Sequence, residues 1–208
     1  RYWPGPGLCL ALQGLGQVRA DLVVLHTNDV HCGVENQLGY AQLAQYKKDL
    51  MKNPDDTVQL VDAGDAIQGE PLGSLTRGQA VIDIMNVAGY DFAIPGNHEF
   101  DYGVARLLEL APQLAGGYYS CNLVDLRTGK TVFPPYKMVA YDGGKKAAFI
   151  GVTTPQTLIS STPRYFQDDK GQFIYGFQKM RQDRNSMNKS KRPSTRLGTK
   201  GPGPLSWS

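Results

Sequence analysis

Cysteine and histidine are both scarce in this sequence, with three of each among 208 residues. The odd cysteine count, from Cys9, Cys32 and Cys121, permits at most one disulfide and so excludes a disulfide framework. Cys32 directly follows His31, but we interpret it as a small buried or partly exposed thiol, not as a ligand. The fold must therefore depend on a hydrophobic core, and the length is sufficient for one.

Long apolar runs are also lacking, because no stretch approaches the roughly 20 apolar residues that a membrane-spanning helix needs. The apolar fraction of 41% and the charged fraction of 20% are ordinary for a globular protein. Residues 8–12 and 18–20 resemble the apolar core and small-residue cleavage site of a signal peptide. We therefore expect residues 1–20 to be a leader or a signal-peptide remnant, with one domain following.

Acidic residues are nearly absent from the C-terminal segment. Residues 176–208 contain eight Lys or Arg and one Asp, a net charge of +7, so the remaining 175 residues carry −4 of the total of +3. The body thus has no basic face for nucleic acid. The segment lacks apolar periodicity, and we expect it to be a basic, disordered tail. It could bind anions, but we favour an origin unrelated to the domain, such as out-of-frame translation.

Polar side chains follow three apolar runs, each predicted to be a buried strand. The run at 22–25 precedes Asp29 and His31, the run at 58–62 precedes Asp65, and the run at 90–94 precedes Asn97 and His98. Because open α/β sheets bind ligands at the carboxyl ends of their strands, we expect these five side chains around one cleft. Carboxylate, imidazole and amide groups favour Mn²⁺, Zn²⁺ or Fe²⁺ over a thiolate zinc site.

Strand parity separates the first two histidines. Side chains two residues apart on a strand point the same way, so Asp29 and His31 should reach one spot just past the strand. His26 has the opposite parity, and we interpret it as a packing histidine.

The turn after the third strand contains further candidates. Asp101 lies three residues beyond His98, so it can orient that imidazole. Asp65 is the natural bridging carboxylate if two metal ions bind side by side. We interpret Glu99 as an acidic residue at a helix start, where the helix dipole favours it, and not as a ligand.

Helical spacing and turn residues give the remaining elements. They predict helices over 38–50, 79–87 and 104–114, a loop at 69–73, a strand over 118–123, and a hairpin of 136–141 with 146–152 around Asp142-Gly143-Gly144. Asn122, at the end of its strand, is interpreted as a turn residue. This alternation of strands and helices predicts an α/β domain with a partly parallel sheet.

Short motifs in the chain resemble the first three signatures of the calcineurin-like metallophosphoesterases. These motifs are Asp29-x-His31, Gly64-Asp65 and Gly96-Asn97-His98-Glu99. Longer runs at 26–31, 80–86 and 97–103 resemble the amino-terminal domain of the 5′-nucleotidase/UDP-sugar hydrolase family. The resemblance implies a four-layer α/β/β/α sandwich over residues 21–175, incomplete on its C-terminal side. It also implies an extracellular, periplasmic or cell-surface protein.

The resemblance further implies a hydrolase with two divalent metal ions that acts on a nucleotide or a nucleotide-sugar. Asp29, His31 and Asp65 would hold one metal. Asp65 and Asn97 would supply part of the other. Asn97 and His98 would bind the substrate, and His98, oriented by Asp101, would stabilise the transition state or the leaving group.

The sequence departs from the family after His98, because no later histidine is present. Family members carry a Gly-His and a Gly-His-x-His motif there, so we expect the second metal site to be incomplete. The leading hypothesis is a metal-dependent phosphoester hydrolase acting on nucleotides. The alternative is a truncated, non-catalytic fragment with weak or no metal binding. A third idea, a nucleic-acid binder, rests on residues 176–208 alone, and the acidic body argues against it.

Overall fold

A computed structural model describes residues 20–35 and 38–178. The predicted leader, apart from Ala20, and the predicted tail beyond residue 178 lie outside these residues. The strands are β1 (Leu22–Thr27), β2 (Thr57–Asp62), β3 (Phe92–Ala93), β4 (Leu123–Asp125), β5 (Lys130–Thr131), β6 (Tyr136–Tyr141), β7 (Lys145–Ile150) and β8 (Tyr175–Phe177). The α-helices are α1 (Gly39–Leu50), α2 (Pro71–Thr76), α3 (Gln79–Ala88), α4 (Val104–Leu110) and α5 (Thr157–Ser160). Short 3-10 helices cover His98–Phe100, Ala111–Gln113, Asp142–Gly144 and Pro163–Phe166.

A parallel three-stranded sheet in the order β1-β2-β3 positions the site. The register runs from Leu22 opposite Thr57 to Thr27 opposite Asp62, and Asp62 in turn lies opposite Ala93. The carboxyl ends of all three strands therefore meet at one edge of the sheet. The prediction of an α/β fold with a partly parallel sheet is confirmed.

Helix α3 links β2 to β3 and agrees with its prediction. Its buried side chains include Ile82, Met85 and Ala88, which recur every three residues and face the core. Gly89 ends the helix in the left-handed conformation at φ 80°, as a helix-terminating glycine commonly does.

Strand β1 is more exposed than the sequence predicted. Val24 is 44% exposed, and His26 is exposed as well. The expectations of a strand buried on both faces and of a packing histidine were wrong, because Val24 and His26 have the same parity on β1 and lie on its exposed face.

Two other elements also differ from their predictions. The predicted loop at 69–73 contains the start of helix α2, because Pro71 occupies a first-turn position where its missing N–H costs nothing. The predicted strand over 118–123 is reduced to one bridge between Tyr118 and Ala93, and β4 begins only at Leu123.

The hairpin of β6 and β7 forms as predicted, with antiparallel pairs from Tyr136–Ile150 to Tyr141–Lys145. Strand β8 pairs antiparallel with β4 and includes Gly176 and Phe177, which the sequence had assigned to the tail. Within residues 20–35 and 38–178, no helix has the length and apolar character needed to cross a bilayer.

The core lies directly beneath the site. Phe100 is completely buried, and its ring centroid lies 5.0 Å from that of Phe166 and 6.4 Å from that of Phe177. Burying an aromatic ring contributes about 1.5–3 kcal/mol. The turn that carries His98 is thus anchored to the core by a residue two positions later.

Candidate metal and catalytic site

Three potential metal ligands converge where the three parallel strands end. The ligand atoms of His31, Asp65 and His98 all lie within 4.8 Å of one another. The two imidazole rings meet edge to face, with centroids 4.9 Å apart. One carboxylate and two imidazoles form a donor set that suits a divalent transition metal. These side chains therefore fit a metal ion.

Backbone hydrogen bonds join the loop after β1 to the loop after β2. The donor–acceptor pairs are Asp29 N–H to Gly64 O at 3.0 Å, His31 N–H to Asp65 O at 2.9 Å, and Cys32 N–H to Ala66 O at 3.0 Å. They extend the pairing of β1 and β2 beyond the sheet. His31 is thereby placed beside Asp65.

Both loops contain residues in the left-handed backbone region. The φ angles are 53° for Asp29, 49° for His31, 62° for Cys32 and 61° for Asp65. An L-residue in this region is strained by roughly 1–2 kcal/mol because Cβ approaches the following carbonyl oxygen. The strain coincides with two of the three converging ligands.

Glu99 has a role that the sequence analysis missed. Its side chain is completely buried, and its carboxylate accepts four backbone N–H bonds. Oε2 accepts from Asp65 at 2.7 Å and Gly96 at 2.7 Å, and Oε1 accepts from Ala66 at 2.7 Å and Ile67 at 3.3 Å. Burial raises the pKa of Glu99, and the N–H bonds oppose that rise.

The helix-start interpretation of Glu99 was therefore incomplete. It does lie in the 3-10 helix His98–Phe100, but its carboxylate joins the loops after β2 and β3. The sequence signal that could have indicated a buried role for Glu99 was its place directly before Phe100, in a segment anchored to the core.

Asp65 is tied to the His98 turn through its side chain. Its Oδ1 accepts the His98 N–H at 2.7 Å. Gly96 packs so closely that a Cβ there would lie 2.4 Å from the same Oδ1. Glycine at position 96 is thus required by close approach.

The expected contact between His98 and Asp101 is present. His98 Nδ1 lies 2.6 Å from Asp101 Oδ2, which leaves Nε2 as the ring nitrogen available to a ligand. Burial lowers the pKa of His98, but the hydrogen bond and charge of Asp101 outweigh it, so the pKa is raised overall. Ser161 Oγ donates to the other carboxylate oxygen of Asp101 at 3.3 Å.

Not every predicted ligand joins the group of three. Asp29 is exposed, its carboxylate accepts from the Asn28 side chain at 2.5 Å, and it lies outside the group. Asn97 is half-buried and directly precedes His98. Cys32 is a buried, free thiol, as interpreted from the sequence, and burial with the nearby Glu70 charge raises its pKa to about 11.

A buried polar network lies on the other side of the His98 turn. Asn122, interpreted as a turn residue, is buried, and its side chain bonds to both backbone groups of Thr153. Thr153 Oγ1 in turn donates to the Pro95 carbonyl at 2.9 Å. The predicted 118–123 strand forms no regular ladder because its successive backbone N–H groups bond to three separate segments, Tyr119 to Ala93, Ser120 to Pro134 and Cys121 to Gly151.

Comparison with known proteins identifies similar chains. The family profile described as calcineurin-like phosphoesterase matches residues 22–195. A snake venom 5′-nucleotidase of Gloydius brevicauda is 34% identical over 163 residues, which cover 69% of this chain and 27% of that protein. A 5′-nucleotidase of Vibrio parahaemolyticus is 33% identical over 161 residues, covering 72% and 29% respectively.

Solved structures agree. The crystal structure of a 5′-nucleotidase precursor from Thermus thermophilus has a TM-score of 0.63 and 27% identity, covering 76% of this chain and 32% of that one. This chain therefore spans little more than a quarter of the length of the curated relatives it matches.

Proposed function

Since this chain belongs to the calcineurin-like phosphoesterase family, we propose that it hydrolyses phosphoester bonds of nucleotides with the help of divalent metal ions. The observation that carries this proposal is the convergence of His31, Asp65 and His98 within 4.8 Å at the ends of parallel strands, which places two proposed metal ligands, His31 and Asp65, beside the proposed catalytic residue His98. The family uses divalent metals, and the donor set suits them.

The proposed ligands of a first Mn²⁺, Zn²⁺ or Fe²⁺ ion are Asp29, His31 and Asp65. Asp65 and Asn97 would contribute to a second ion, for which the sequence offers no histidine after His98. When bound, such ions neutralise phosphoryl charge and activate water. Two protein ligands hold a transition metal weakly, so the second site is the weaker one.

His98 is the proposed catalytic residue. Asp101 accepts a hydrogen bond from the Nδ1–H of His98, which fixes the tautomer and leaves Nε2 for the substrate. A raised pKa favours the protonated ring, so Nε2 can donate to a phosphoryl oxygen or to the leaving oxygen. Asn97, on the same turn, would help to bind the phosphoryl group.

The names of the relatives support the substrate class. Both curated relatives described above are named 5′-nucleotidase, and one is a venom protein. We propose a nucleotide or nucleotide-sugar as substrate and an extracellular, periplasmic or cell-surface location. The proposed domain spans residues 21–175, and residues 176 and 177 of β8 extend it by pairing with β4.

The non-catalytic alternative depends on the same sequence that lacks later histidines. A chain that holds only one ion would bind metal yet hydrolyse substrate slowly, because a two-metal mechanism stabilises both attacking and leaving oxygens. Metal binding without turnover would favour this alternative.

The test is phosphate release from AMP and an aryl phosphate by the full chain, with added Mn²⁺ or Zn²⁺ and with a chelator. We expect metal-dependent turnover that Asp65→Ala abolishes, whereas Asp55→Ala, at an exposed position, leaves it unchanged. Robust turnover that a chelator does not affect would overturn the proposal.

A further inference from the structure

We propose that Thr153 is a positioning residue for the metal and catalytic site, acting through the peptide bond between Pro95 and Gly96. The effect of Thr153 on catalysis rests on the proposed function, whereas its effect on the position of the His98 turn follows from hydrogen bonds among buried groups. Thr153 lies in the loop after β7, 58 residues from Pro95 along the chain.

The Pro95–Gly96 peptide group is hydrogen-bonded at both edges. Its carbonyl oxygen accepts from Thr153 Oγ1 at 2.9 Å, and its N–H donates to Glu99 Oε2 at 2.7 Å. Thr153 is 1% exposed and Glu99 is completely buried. Rotation of this peptide plane would leave buried polar groups without partners, which is unfavourable.

The orientation of this plane determines how the site is assembled. Gly96 contacts Asp65 closely, since a Cβ at Gly96 would lie 2.9 Å from Asp65 Cγ. Two residues later, His98 donates its N–H to Asp65 Oδ1 at 2.7 Å. A change in the plane would shift Gly96 against Asp65 and displace the His98 turn.

Thr153 is itself fixed by the side chain of Asn122. The Asn122 amide donates to the Thr153 carbonyl at 2.6 Å, and its oxygen accepts the Thr153 N–H at 3.0 Å. The amide thus pairs with both backbone groups, as a neighbouring strand would.

Proton accounting sets the direction of the remaining bond. The Pro95 carbonyl can only accept, so the single hydroxyl proton of Thr153 goes there. Ser120 Oγ lies 3.0 Å from Thr153 Oγ1 and 3.2 Å from Asn122 Oδ1, so its single proton has two neighbouring acceptors. The proton of Thr153 is still directed at the Pro95 carbonyl, which has no proton to give.

The chain offers a matched pair of threonines for a test. Thr153→Val removes the hydroxyl at nearly constant shape, and Thr153→Ser retains it. Thr157→Val is the control, because Thr157 is completely buried and its Oγ1 has no hydrogen-bond partner in the part of the chain that the structure describes.

Hydrogen exchange of the Gly96 and His98 amides in the full, metal-free chain is the first measurement, and Mn²⁺ affinity by calorimetry is the second. For Thr153→Val we expect exchange about tenfold faster and Mn²⁺ binding about tenfold weaker, the effect of losing one hydrogen bond to a buried carbonyl. Thr153→Ser should stay close to wild type, and Thr157→Val should match wild type.

Three results would overturn the inference: unchanged exchange at Gly96 and His98 in folded Thr153→Val, equal losses in the Val and Ser variants, or an equal effect of Thr157→Val. If Thr153→Val does not fold, Thr153→Ala, which removes the same hydroxyl, carries the same prediction against Thr153→Ser. Exchange is measured without metal or substrate. A failure of the proposed hydrolase activity is therefore distinguishable from a failure of this inference.

Discussion

Replacing Glu99 with glutamine tests whether a buried carboxylate joins the two site loops. Glutamine has nearly the same shape, but one of its terminal atoms becomes an NH₂ group. That group would face two N–H donors, either those of Asp65 and Gly96 or those of Ala66 and Ile67. Two backbone donors would therefore lose their acceptor in a fully buried site.

The magnitude follows from these contacts. A buried donor left without an acceptor costs about 1–3 kcal/mol, so two of them cost about 2–6 kcal/mol. Removing a buried charge offsets part of this loss, and burial does raise the pKa of Glu99. We therefore expect a net loss of about 2–3 kcal/mol, near the lower end. For a chain of this length that lowers Tm by roughly 5–10 °C.

The assay is thermal and urea unfolding of wild type and Glu99→Gln, monitored by circular dichroism at neutral pH. Glu109→Gln is the control, because its side chain is 64% exposed and pairs with Arg106 at the surface. It should leave Tm nearly unchanged. A Glu99→Gln protein as stable as the Glu109→Gln protein would refute the reasoning, since the four N–H bonds would then contribute nothing.

Two further predictions concern the same loops. Gly64→Ala should destabilise the protein by about 1–3 kcal/mol more than Gly129→Ala. Both glycines have positive φ, but a Cβ at Gly64 would lie 2.7 Å from Gly96 Cα, whereas a Cβ at Gly129 would meet no atom within 4 Å. Equal losses of stability in urea unfolding would contradict this prediction. Asp101→Asn should lower the pKa of His98 in an NMR titration. In wild type, the raised pKa stabilises the folded protein below the unfolded pKa of about 6.5, and this stabilisation is lost as pH rises through the folded pKa. The variant should lack this stabilisation, and an unchanged His98 pKa would show that Asp101 is not its partner.

Features encoded in local sequence were predicted well. The parallel strands, helix α3 with its final Gly89, and the hairpin around Asp142-Gly143-Gly144 follow from periodicity and turn chemistry. The placement of His31, Asp65 and His98 followed from their position after apolar runs. Strand ends meet at one edge of a parallel sheet, so short-range patterns were sufficient there.

Features that depend on distant partners were missed. Glu99 bonds to residues more than 30 positions earlier, and Asn122 bonds to Thr153, 31 positions later. No periodicity signals such contacts. The exposure of Val24 likewise depends on what covers that face of β1, which apolar character alone does not determine.

The left-handed residues of the two site loops have a consequence for engineering heat resistance. Glycine adopts positive φ without steric cost, so glycine at His31 would relax the backbone. Glycine at Asp65 would also remove the acceptor of the His98 N–H, so the relaxation there is offset by a lost hydrogen bond. Either replacement would remove a proposed metal ligand. A screen that rewards only thermal survival would therefore tend to enrich changes at His31, so such a screen must be accompanied by a direct measurement of metal binding.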